Sequence, residues 1–178
     1  MSFVRLRALL VVGLLATAAI VVMVVAVVRD SQRHAAAAGR CPAGATPVNL
    51  VLPDHADQVK LRVLNGTRTA GLAERTSAEF KNRGFRTQKP AASSRKFAEV
   101  AIIRYGPQTV GAAQWVRAYF LGEAQPQYEA TRTTDVIDIV VGDRYRQLAT
   151  ETEVSQSLAQ LGEPTLPPGT CPAPAGGR

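Results

Sequence analysis

The chain has 178 residues, with 21 Lys or Arg against 14 Asp or Glu and a formal net charge of +7. Set apart from its apolar start and proline-rich end, about a hundred residues remain, enough for one small core and not for two. The positive charge is not interleaved with aromatics, which argues against a binder of single-stranded nucleic acid.

Residues 1–7 carry Arg5 and Arg7 and are expected in the cytoplasm. Ala8 to Val28 is free of charge and as a helix would extend about 31 Å, close to the hydrocarbon thickness of a bilayer. This predicts an uncleaved transmembrane signal anchor over 8–28. A cleaved signal peptide is the rival reading, because Ala35 to Ala38 offers small residues to a peptidase. Arg29, Arg33 and Arg40 follow the run, so basic residues on its two sides nearly balance and set no orientation. The cysteines are more informative. Cys41 and Cys171 are the only two and bracket the rest of the chain. A disulfide between them fits an exported domain in an oxidising compartment. Arg40 before Cys41 argues against lipoprotein processing.

Residues 29–58, with Pro42, Pro47 and Pro53, read as an extracytoplasmic tether, within which Val48 to Leu52 offers a short strand. Val59, Leu61 and Val63 then alternate with Lys60 and Arg62, the period of a half-buried strand. Asn65-Gly66 breaks it, since both residues tolerate positive φ. Thr69 is a candidate helix cap. Leu72, Ala73, Thr76 and Phe80 recur at helical spacing, and Gly84 ends the helix. Phe85 to Lys89 is a second strand and Pro90 to Lys96 a polar loop. Glu99 to Tyr105 is a third strand, closed by Gly106-Pro107. Thr109 to Phe120 is helical, with Ala112, Ala113, Val116 and Phe120 toward the core. Gln127 to Ala130 is a possible additional strand, and Val136 to Val141 is another. Thr150 and Glu153 have capping-box spacing ahead of Val154, Leu158 and Leu161, predicting a last helix to Leu161. Residues 162–178 are an irregular proline-rich tail.

Strand, helix, strand, strand, helix, strand predicts an α+β fold. The expected form is a split βαββαβ-like antiparallel sheet with helices on one face, plus a C-terminal helix, over residues 59–161.

The order of landmarks resembles the LytR C-terminal domain family. They are Val63-Leu64-Asn65-Gly66, Gly71-Leu72-Ala73, Gly84-Phe85, Tyr105-Gly106-Pro107, an alanine-rich helix with Trp115, and Val141-Gly142-Asp143. The resemblance spans roughly 59 to 143. It implies an accessory domain of the kind found at the end of LytR/CpsA/Psr envelope enzymes and in stand-alone, membrane-anchored envelope integrity proteins of actinobacteria. The catalytic domain of those enzymes has no counterpart here, so their transferase activity is not implied.

Residue chemistry gives catalysis little support. His34 and His55 both lie in the expected tether, no serine sits in a nucleophile elbow, and nothing implies a metal or cofactor. Asp135, Asp138 and Asp143 read as solvated surface. The basic surplus falls in 59–104, with eleven Lys or Arg against three Glu, while 105–178 is acidic. Arg62, Arg68, Arg75, Lys81, Arg83 and Arg86 come from consecutive elements, so several are candidates to share one face.

Three groups are candidate ligand-binding residues. Asn65, Gly66 and Arg68 precede a helix N-terminus, where free N–H groups attract anions. Arg83 adds charge, and Trp115 with Tyr119 is an aromatic pair one helical turn apart. The expectation is a non-enzymatic, single-span membrane protein whose exported domain binds an envelope protein or a peptidoglycan-linked polymer and supports envelope integrity. The alternative is a module that binds peptidoglycan or an anionic glycopolymer directly. A small hydrolase with an unrecognised site is a weaker alternative.

Overall fold

The computed structural model describes residue 13 and residues 16–25 and 41–173. They fall into two units, one running from Met1 to Cys41 with the last five residues, the other from Pro42 to Ala173. In the first, residues 16–25 are helical and exposed throughout. Of the expected span over 8–28, residue 13 and residues 16–25 are described, and the rest lies outside the described residues. Among those described, no helix is long and apolar enough to cross a membrane.

The second unit carries eleven strands and α-helices among the described residues. They are β1 (Thr46–Val48), β2 (Lys60–Asn65), α1 (Leu72–Asn82), β3 (Arg86–Thr87), β4 (Ala91–Ala92), β5 (Ala101–Tyr105), α2 (Val110–Ala118), β6 (Gln125–Tyr128), β7 (Val136–Val141), α3 (Glu151–Leu161) and β8 (Thr170–Pro172). The α+β class expected from sequence is observed, but the sheet is mixed rather than antiparallel. Its order is β3-β2-β7-β5-β6, with β4 also on β2. β2 is parallel to β3, β4 and β7, and β5 is parallel to β6; β5 with β7 is the antiparallel pair. The cause is local. Each helix returns the chain to the end of the sheet where its strand began, so the next strand pairs in parallel with the first. Two such βαβ units lie side by side, and β7 fills the gap between them.

The second strand expected at Phe85–Lys89 is interrupted. β3 pairs with Lys60 and Leu61, and β4 with Leu64 and Asn65. Pro90 lies between them and has no N–H to give to a ladder.

Leu61 and Val63 of β2, Ala101 and Ile103 of β5, and Ile137, Ile139 and Val141 of β7 are fully buried. They face the helices, and Phe80 of α1 is a fully buried member of the same core. Its ring lies 5.7 Å from Tyr119 and 6.2 Å from Phe120, both just past the end of α2. The helices therefore cover one face, as expected. The C-terminal helix begins at the Thr150–Glu153 capping box, where Glu153 accepts from the Thr150 N–H at 2.7 Å. α1 differs from expectation at its start. Gly71 is its N-cap at φ +70°, without a side-chain cap from Thr69.

The compact unit is wider than 59–161. β1 pairs in parallel with β8, Pro47 opposite Cys171. The Asn49 N–H donates to the Pro107 carbonyl at 2.8 Å, and Gly111 N–H donates to Asn49 at 3.0 Å. The strand foreseen at Val48–Leu52 thus lies slightly earlier, and residues that read as tether and tail belong to the fold. Both cysteines are disulfide-bonded; being the only two in the chain, they are joined to each other.

Candidate functional site

Asn65 organises the loop that closes β2. Its Oδ1 accepts from the Thr67 N–H and from the Thr67 hydroxyl, both at 2.9 Å, and its Nδ2 donates to the Thr69 carbonyl at 2.7 Å. The side chain is engaged within its own turn. Neither Asn65 nor Gly66 has positive φ, contrary to expectation. Gly66 is demanded by volume instead. A Cβ there would sit 2.8 Å from the Val141 carbonyl, 2.9 Å from Val140 and 3.0 Å from the Phe97 ring. Arg68 is exposed on the loop.

Trp115, Tyr119 and Arg83 meet at the other end of α1. The Trp115 and Tyr119 rings are 6.1 Å apart at 67°, an edge contact rather than a sugar-stacking platform. Phe85 packs on both, at 5.4 and 5.2 Å, and Tyr119 is buried. The Arg83 guanidinium lies 5.4 Å from the Tyr119 ring centre and donates to the Ala149 carbonyl. The eleven residues of α1 separate this cluster from the Asn65 loop by about 16 Å of helix. The six candidates therefore form two groups rather than one site.

The basic residues do not share a face. Arg83 lies among the helices, whereas Arg62 projects from the helix-free face of the sheet. Side chains alternate along a strand, so Lys60, Arg62, Asp138, Val140, Ile102 and Arg104 all point away from the core. Asp138 stands opposite Arg62 on one side and Arg104 on the other. It is not solvated, as its sequence context suggested, but only 4% exposed. Arg62 grips it with two hydrogen bonds of 2.7 and 2.8 Å, and Arg132 adds one of 2.7 Å. Burial pushes the Asp138 carboxyl up, but the hydrogen bonds and charges of Arg62 and Arg132 outweigh it and hold the group below its ordinary value. Asp135, for its part, is paired with Lys60 at 2.7 Å.

Arg104 is left over. Among the described residues it makes no ion pair. Its Nε donates to the Gln127 Oε1 at 2.9 Å, and its guanidinium lies 5.9 Å from the Phe97 ring centre. Beside it is an open groove of about 300 Å³ whose lining includes Arg95, Phe97, Arg104, Gln125 and Gln127. Phe97 is strapped in place by its N–H to the Gly66 carbonyl and by the Asp143 N–H to its own carbonyl, both 2.9 Å. Gly66 is thus the one sequence candidate that touches a wall of the groove. The others lie elsewhere, and Arg95, Phe97, Gln125 and Gln127 were not singled out. The alternation of Arg104 with Ile103 and Tyr105 was the signal that could have found the face. Guanidinium and amide groups beside an aromatic ring have the chemistry to hold an anion and hydroxyls.

Residues 58–145 match the LytR_C family model, described as LytR cell envelope-related transcriptional attenuator. No curated protein matches the chain. Among solved structures, the chain is similar to the soluble domain of a conserved hypothetical secreted protein from Mycobacterium marinum. That likeness has 24% identity and a TM-score of 0.46, over 68% of this chain and 82% of that one. Residues 58–145, which contain every strand of the mixed sheet, belong to the LytR_C family.

Proposed function

We propose that this chain is a membrane-anchored, non-enzymatic protein of the cell envelope. Its exported domain binds an envelope protein or a wall polymer through the helix-free face of the sheet and so supports envelope integrity. The observation that carries this reading is the groove beside Arg104, whose charge has no carboxylate partner among the described residues. The residues that line it are guanidiniums, amides and apolar groups, a set suited to holding a ligand. The family's envelope-related description and its place as an accessory to separate catalytic domains support the same reading.

Anchoring is supported by the exposed apolar helix at 16–25, where Ile20 to Val25 are each 45% exposed or more. Contiguous exposed apolar surface of this kind marks a protein or membrane contact. The disulfide supports export, because cytosolic thiols are kept reduced.

Cross-linking and mass spectrometry in intact cells, beside retention on purified wall, test the proposal. Enrichment of envelope components and retention on wall are expected. Neither cross-links nor retention, or activity of a cytoplasm-specific reporter fused after Arg178, would overturn it.

A further inference from the structure

The proposed function leaves open what the helix-free face binds. From that reading, we infer that the groove holds an anionic glycan, with a carboxylate or phosphodiester on Arg95 and Arg104 and sugar hydroxyls on Gln125 and Gln127.

The Asp138 oxygens go to Arg62 and Arg132, and Arg104, opposite Asp138 on β5, is left without a carboxylate among the described residues. Glu129 neutralises Arg132 further, at 3.0 Å. Arg104 is held by Gln127 through Nε alone, so both terminal nitrogens remain as donors in a planar fork. Such a fork matches two oxygens of a carboxylate or phosphate. The Phe97 ring, 5.9 Å from the guanidinium, and Gln127 restrict the side chain, which lowers the ordering cost of binding. Arg95 is exposed on the same groove and supplies a second positive charge.

The remaining lining selects among polyanions. Gln125 and Gln127 are exposed amides, each with both donor and acceptor capacity, as hydroxyl-rich ligands require. A peptide adding itself as a strand would use the outer edge of β6, but Pro126 lies in that strand and offers no N–H. A lipid surface would call for apolar side chains at the rim. In the compact unit the exposed large hydrophobics are Val51, Leu121 and Leu166, and none lines the groove.

The test uses the full chain held in a non-ionic amphipol, free of detergent. The probes are an oligogalacturonate and a phosphodiester-bearing oligomannoside, set against methyl-esterified oligogalacturonate, polyglutamate and phosphatidylglycerol vesicles. At least one anionic glycan should bind more tightly than all three controls. Arg95→Ala and Arg104→Gln should each weaken it about tenfold, the loss of one charge-assisted contact, while Arg75→Ala should not. Arg95 is exposed, so its variant reports even if Arg104→Gln proves unstable. Binding of neither glycan, equal binding of the ester, tighter binding of polyglutamate or vesicles, or indifference to Arg95→Ala would each overturn the inference. If the Arg95 and Arg104 variants keep full retention on purified wall, the groove assignment fails and the helix-free face loses its role, while attachment to the envelope itself stands.

Discussion

Arg62 and Asp138 face each other across β2 and β7, with Nε and Nη2 of the guanidinium 2.7 and 2.8 Å from the two carboxylate oxygens. The pair ties the two parallel strands on the face that no helix covers. Arg132 closes over the same carboxylate. Asp138→Asn should therefore destabilise the domain by about 2–3 kcal/mol, because it leaves two guanidiniums without their shared anion. Urea unfolding measures this, and a loss below 0.5 kcal/mol would contradict it.

The same carboxylate sets an acid limit. Its pKa in the fold lies below the ordinary 3.8. A depressed carboxylate contributes stability that is fully present above the ordinary value and is lost as pH falls through the lower folded value. The stability gap between the natural chain and Asp138→Asn should stay level from neutral pH to about 5 and narrow below about 4. A gap that widens on acidification would refute the assignment.

Gly66→Ala should cost about 1–3 kcal/mol, the usual range for overpacking. Its Cβ would meet a backbone carbonyl at 2.8 Å, which has little room to yield. Thermal melting reports the loss. Arg95→Ala, on the exposed loop, should melt like the natural chain.

Thr150→Ala should cost about 1 kcal/mol through loss of the α3 cap. The Glu153 carboxyl, held low by the backbone and side-chain hydrogen bonds of Thr150, should titrate higher in that variant. Side-chain carbonyl NMR shifts follow it directly.

Replacing both Cys41 and Cys171 with Ser should lower the melting temperature. The closed loop is long, so the chain-entropy model puts the loss near 4–5 kcal/mol, less if the unfolded chain is compact. Neither cysteine of the natural protein should react with an alkylating reagent before reduction.

The alternation at Val59–Val63 and Val136–Val141 was legible because one face of each strand is buried, and a period of two leaves little choice. The Thr150–Glu153 box was legible because its partners are three residues apart. Strand pairing was not. Whether β2 meets β7 or β5 depends on residues some 75 positions apart, and no local pattern encodes that. Gly66 was misread as a turn glycine, since a demand for empty volume looks the same in sequence as a demand for positive φ. The groove escaped notice because Phe97, Arg104 and Gln127 come from a loop and two strands that meet only in the fold. Trp115 and Tyr119 were found as neighbours, yet their spacing could not show that Phe85 packs against both.

The strand at the centre of the sheet is also the last of its strands to be made. β2 and β5 are both bordered by β7, which ends at Val141. Until that segment emerges, β2 has only the short parallel strands β3 and β4, β5 has only β6, and the edges that β7 joins stay unpaired. A chain crossing a membrane from its N-terminus would therefore carry two unjoined halves until β7 arrives. Such long-range closure slows folding, and a chaperone waiting on the far side would meet its client during that interval.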